Sequence, residues 1–278
     1  VERVASMVRS RGKDLGVRVL PTEELNQAQG MDVRAWLDKG LVDFVVPMRY
    51  GYQIMDPDMP FDWLIEAAHR SDASVYPSLQ AYSDHKQVEG GSERVWATPT
   101  QMRAAVANYW ERGADGVLSW FLQWPLGDTE RRILSELGDP DIIAERDKCY
   151  VLARDSADGD TLHYKTNLPV VIEADDEGTH HPIPFYIADD PYSPQVQEVK
   201  LRIGISDLLG ADKLDIRLNG ESLADETSTR SALRRVDPYM GQWLDFDLQK
   251  VRPRQGDNVL DIALVSRPAN ISSDLAVE

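Results

Sequence analysis

The sequence predicts an α/β half joined to an all-β half, and three observations carry that expectation. Residues 1–154 alternate helical and strand patterns, whereas residues 161–278 read almost entirely as short strands and turns. Between them, residues 154–160 are polar and contain Gly159, the composition of a linker. Strand starts near 17, 43, 75 and 117 are about 25–40 residues apart, the size of βα units in a parallel sheet.

Each element of the first half has a local signature. Val1, Val4, Ala5 and Val8 fall at helical spacing, Gly12 stands where a C-terminal cap is expected, and residues 16–21 follow as a strand. Asp32 caps a helix through Trp36 and Leu37 that stops at Gly40, and residues 41–47 form a β-branched apolar run. A helix over 62–70 leads into a strand over 74–79. A further helix over 100–112 stops at Gly113 and delivers the strand 116–121, and a last helix spans 128–137. Two junctions are alike, Trp36…Gly40…Asp43 and Trp110…Gly113…Asp115, as one reused helix-to-strand joint. The strands are continuously apolar, as parallel strands covered on both faces are.

Helix first, four such units, then a final helix is the order of strands five to eight of an eight-stranded TIM-type βα barrel. A doubly wound four-stranded sheet is the alternative, weakened by the absence of a glycine-rich phosphate turn. In the second half, strands are expected at 169–173, 199–205, 214–218, 243–248 and 259–265, with Asn219-Gly220 as a hairpin turn. Short alternating strands of this kind make an antiparallel β-sandwich. The expected domains are therefore 1–154 and 161–278.

Composition narrows the partners. With 30 Lys+Arg against 47 Asp+Glu the net charge is −17, a field that repels phosphate backbones, so nucleic acid is not expected. No apolar run approaches the roughly 20 residues of a membrane span. A lone Cys149 excludes an intramolecular disulfide, and His180-His181 has no third ligand at metal spacing, so neither metal nor cofactor is expected and the pair reads as a polar loop. The chain begins at Val1 without Met, and a processed or truncated start is expected, which leaves the compartment open.

In a βα barrel the chemistry follows the C-terminal ends of the strands. Glu23 and Glu24 follow the first strand, either as catalytic carboxylates or as acids on a helix N-terminus capped by Thr22. Arg49 and Tyr50 follow the second, with Arg49 as a substrate clamp or a structural ion-pair member. Gln80 and Tyr82 follow the third and alternate onto one side; the 85–99 stretch after them reads as a substrate-covering loop. Trp120, Gln123 and Trp124 follow the fourth, aromatic faces beside an amide, with core packing the alternative for Trp120. Asp56-Pro57-Asp58 reads as a turn.

The runs Gly30-Met31-Asp32-Val33-Arg34-Ala35-Trp36 with 40–47, and 138–152 at the barrel exit, resemble bacterial family-10-like glycoside-hydrolase barrel proteins, and 212–220 is similar to their β-sandwich modules. The resemblance implies a carbohydrate substrate and glycosidic hydrolysis by carboxylate acid/base chemistry in the intact protein. The other possibility is a non-catalytic carbohydrate-binding or scaffold protein with a degenerate barrel. A half barrel also exposes two parallel edges, so the isolated chain is expected to self-associate. A clean monomer by light scattering at micromolar concentration contradicts that expectation.

Overall fold

The computed structural model describes residues 1–49, 54–88, 91–119, 122–154, 164–233 and 241–278, without the side chains of 85–88 and 91–93. The chain forms two compact units, Val1–His85 with Arg94–Lys165, and Lys86–Glu93 with Thr166–Glu278.

The first unit runs α1 (Glu2–Arg9), β1 (Gly16–Val19), α2 (Glu23–Ala28), α3 (Val33–Asp38), β2 (Phe44–Pro47), α4 (Asp62–His69), β3 (Ser74–Val75), β4 (Ser78–Leu79), β5 (Tyr82–Val88), β6 (Gly91–Trp96), α5 (Pro99–Glu111), β7 (Leu118–Ser119), α6 (Asp128–Glu136) and α7 (Pro140–Ala144). β1, β2 and β3 pair in parallel in chain order, and β4 pairs in parallel with β7. The single strand expected over 74–79 is split at Tyr76-Pro77, where proline has no N–H to give, although Pro77 O still accepts Leu118 N at 3.0 Å. α4 packs on β3 and α5 on β4, and Val45, Val75 and Leu79 of the strands and Leu64, Ala67, Ala104 and Ala105 of the helices are all buried.

Every helix from α1 to α5 stops the same way. Gly12, Gly30, Gly40 and Gly113 take positive φ, and Asp72 does so after α4. The next residue then bonds the carbonyl five back: Lys13 to Val8, Met31 to Asn26, Leu41 to Trp36, Ala73 to Ala68 and Ala114 to Tyr109, at 2.8–3.3 Å.

The repeated joint read in the sequence has a common structure. Asp43 donates its backbone N–H to Leu15 O (2.9 Å) while its Oδ2 accepts Leu15 N–H (2.7 Å). Asp115 does the same to Val75, at 3.0 and 2.8 Å. Each carboxylate also meets a last-turn side chain of the helix before the gripped strand, Arg9 (3.2 Å) and His69 (3.0 Å). The residues that follow pack as a row. The Phe44 ring lies against Gly16 and the Tyr76 ring against Gly116, and the rings meet edge-on at 5.6 Å. A Cβ on Gly16 would sit 2.1 Å from the Phe44 ring, so no larger residue fits without moving it.

Two further elements differ from expectation. The stretch read as a loop over 85–99 is the hairpin β5–β6, continued by the start of α5; its polar residues hid the strand alternation. The His180-His181 loop is instead the entry to a strand, described next.

The second unit holds β8 (Val170–Ile172), β9 (His181–Ile187), β10 (Lys200–Ser206), β11 (Lys213–Leu218), β12 (Glu221–Ser222), β13 (Thr227–Leu233), β14 (Gly241–Asp247), β15 (Gly256–Ser266) and β16 (Leu275–Val277). They form two antiparallel sheets, β13-β14-β10-β16-β8 and β12-β11-β15-β9, the sandwich-like part expected of the second half. Ile203, Ile205, Leu244 and Val277 of one sheet and Ile216, Leu260, Ile262 and Ile183 of the other are buried. Asn219 (φ 52°) and Gly220 (φ 86°) make the expected hairpin turn between β11 and β12. β9 tolerates Pro182 and Pro184 because it is an edge strand pairing only with β15, so alternate N–H groups need no partner in the sheet.

Glu226, just before β13, is buried and accepts the backbone N–H groups of Gln249, Lys250 and Val251 at 2.7–2.9 Å. Burial pushes its pKa up, but the three donors outweigh it and hold the carboxyl below its ordinary range. Its stabilisation is thus present above the ordinary carboxylate pKa and lost as pH falls through the lowered value. Glu226→Gln should therefore be less stable than the parent at pH 7, with a gap that narrows on acidification, as read by urea denaturation at several pH values. Asp115→Ala should cost about 1–3 kcal/mol by removing the acceptor for Val75 N–H, and Asp115→Asn should cost less in the same assay.

Candidate functional site

The ends of the parallel strands place the sequence-selected residues. Beyond β1, Asn26 is buried and holds Leu20 by both its N–H (2.9 Å) and its carbonyl (2.7 Å), which fixes the turn before α2. Thr22 Oγ1 caps α2 by accepting Leu25 N–H at 3.3 Å. Glu23, in the first helical turn, takes a two-point bond from Arg34, Nε at 2.7 Å and Nη2 at 2.6 Å. The Arg34 guanidinium holds the Glu23 carboxyl below its ordinary range and itself lies over the Trp63 ring. Glu24 is exposed.

Beyond β2, Arg49 is 3% exposed. Its Nη2 donates to Arg154 O at 2.9 Å, and its guanidinium lies 5.7 Å from the Tyr164 ring centre. Its Nε and Nη1 are buried with no hydrogen-bond partner, and no carboxylate pairs with it among the described residues. Beyond β4, Gln80 is 2% exposed; its Nε2 donates to Arg49 O at 3.2 Å and its Oε1 has no partner among the described residues. Ser78 Oγ, two residues earlier, is also buried without one. Gln80 is thus brought to the Arg49 backbone, and each residue keeps side-chain atoms without a partner among the described residues.

Behind them lies a polar set that the sequence did not disclose. Asp56 Oδ1 accepts Asp58 N–H at 2.9 Å, the turn expected of 56–58. Its Oδ2 also takes a short bond from the Tyr164 hydroxyl, and its carbonyl accepts the Tyr109 hydroxyl at 2.7 Å. Burial first, then the Asp56 charge, raises the pKa of both phenols, which remain protonated donors.

Tyr82 follows two residues after Gln80. Its carbonyl accepts Met55 N–H at 2.6 Å, and its ring meets that of Trp96 at a 46° tilt with centres 4.6 Å apart. The Arg94 guanidinium lies 5.2 Å from the Tyr82 ring centre. Beyond β7, Gln123 is exposed and Trp124 is 81% exposed. Tyr50 and Trp120 lie outside the described residues. Trp96 and Arg94 carry no site signal in the sequence, because the polar run of β6, Gly91–Trp96, shows no strand alternation.

No protein-family model matches this chain, and no curated protein is similar to it. Among the described residues no group of three His, Cys, Asp or Glu side chains is placed to hold a metal ion, and no helix is long and apolar enough to cross a membrane.

Removing the Tyr164 hydroxyl leaves a buried carboxylate short of a donor. Tyr164→Phe should lose about 1–3 kcal/mol in urea denaturation, and that loss should largely vanish when Asp56→Ala is already present.

Proposed function

We propose that this chain supplies four consecutive βα units of a glycoside-hydrolase-like barrel with a β-sandwich attached, and that it engages carbohydrate at the C-terminal ends of its parallel strands. Chain-order pairing of β1, β2 and β3 supports the barrel over a doubly wound sheet, whose strand order reverses at the ligand site. The observation that carries the proposal is the Arg49–Gln80 pair. Arg49 holds a buried guanidinium whose Nε and Nη1 have no partner among the described residues, and Gln80, bonded to the Arg49 carbonyl, holds an amide Oε1 likewise unmet, so the segment carries both donors and an acceptor. A sugar hydroxyl, which accepts and donates at once, answers both.

Hydrolysis needs a proton donor and a second carboxylate. Glu23, held ionised by Arg34, suits a nucleophile or base and not the acid, so the donor must be another group in the intact protein. The same bond favours the second reading, a carbohydrate-binding protein without turnover, because Arg34 occupies both Glu23 oxygens.

Titration of the purified chain against a panel of neutral saccharides tests the binding claim. Arg49→Met and Gln80→Ala should each weaken saccharide affinity about tenfold or more while the fold is retained by circular dichroism. Unchanged affinity in both variants would remove this pair from recognition. In the intact protein, loss of glycoside turnover in Glu23→Gln favours the enzyme, and absence of turnover with retained binding favours the binding protein.

A further inference from the structure

We propose that β13 is a self-association edge, at which a second copy of this chain lays its own β13 antiparallel to the first and joins two five-stranded sheets into one. The strand, Thr227–Leu233, pairs on one side only, with β14, so alternate N–H and C=O groups along its other side point away from the sheet. Its register puts Thr227, Thr229 and Ser231 on the side of Asp247, Asp245 and Trp243, and Ser228 and Arg230 on the side of Phe246 and Leu244. Residues of both sets are exposed, from Thr227 to Ala232, so neither face of the strand is covered by the described residues.

The other edges of these two sheets are shielded, and this one is not. β8 has three residues, β12 has two, and β9 is interrupted by Pro182 and Pro184. β13 has seven residues, none of them proline or glycine, and pairs with β14 without a register shift. Charge and sequence then select the occupant. The chain carries 47 Asp and Glu and a net charge of −17, yet Thr227–Leu233 contains no acidic residue, and Asp245 behind it is paired with Arg202. Two copies therefore meet least local repulsion along this strand. A two-fold axis at Thr229 sets Thr229 against its counterpart, Thr227 against Ser231 and Ser228 against Arg230. Hydroxyl residues meet across the contact and no like charges are opposed, whereas an axis at Arg230 would oppose two guanidinium groups. Pairing across a two-fold axis also uses up both edges, so the assembly closes at two copies.

The test is sedimentation velocity of the full chain over about 1–100 μM, because a contact one strand wide lies at the small end of specific interfaces. The expected result is a concentration-dependent monomer–dimer equilibrium. Thr229→Lys, which opposes two cations at the axis, should weaken the dimer about tenfold or more, and Thr229→Val should keep it. Residue 229 is exposed, so circular dichroism and urea denaturation should show both variants folded like the parent. In a Cys149→Ser background, mild oxidation should cross-link Thr229→Cys into a dimer. Directly opposed Cα atoms are about 4.5–5.5 Å apart, within the reach of a disulfide. Ser228→Cys stands two residues out of register with its own counterpart and should not cross-link. A monomer at every concentration, a dimer that Thr229→Lys leaves intact, or failure of Thr229→Cys to cross-link in preference to Ser228→Cys overturns the proposal.

Discussion

Asp43 and Asp115 each hold a neighbouring strand at two points, and the geometry of the first unit depends on that grip. A strand's first N–H has no ladder partner of its own and must be satisfied locally. Here the carboxylate of the next strand supplies the acceptor while its backbone donates back. With both bonds made, the pairing of β1 with β2, and of β3 with the run into β7, cannot slip by one residue. A slip would turn every side chain to the other face and would drive the Phe44 and Tyr76 rings off the two glycines that make room for them. Register fixed at the N-terminal ends also sets which residues emerge at the opposite ends, and those are Arg49 and Gln80.

The emerging residues sit in an environment that favours neither of them. A guanidinium taken out of water without a carboxylate partner costs free energy, as does an amide oxygen left without a donor. Contacts from far along the chain surround them: Tyr164 and Arg154 close on Arg49, and Asp56 is bonded by two phenols. Arg103 and Glu136, a buried pair at 2.7 Å, tie α5 to α6 behind this set.

What could be seen in the sequence was local, and what could not was not. The helix stops at Gly12, Gly40 and Gly113, the two joints and the Asn219-Gly220 turn are dictated by residues within a few positions of one another, and each is where the sequence places it, whereas the stops at Gly30 and Asp72 carry no such signal. β13 escaped because as an exposed edge strand it is polar along Thr227–Ala232 and shows no alternation. β9 escaped because its prolines read as breakers, and β5–β6 because polar residues interrupt it. At the site, Arg49 and Gln80 were visible by following strands, whereas the bonds that define them were not. Tyr164 reaches Asp56 across 108 positions, and Arg34 reaches Glu23 across eleven, from the next helix. Periodicity reports a residue's own element and is silent on which distant side chain will arrive beside it.

The prolines of β9 have a consequence for assembly. An open sheet edge normally invites another polypeptide to extend it, because its outward N–H groups lack partners. At β9, Pro182 and Pro184 replace two of those donors with ring carbons, while β12 at the opposite edge of the same sheet is two residues long. A strand arriving at β9 would therefore find ring carbons where it needs two donors, so the chemistry of this edge alone disfavours extension of the sheet beyond it.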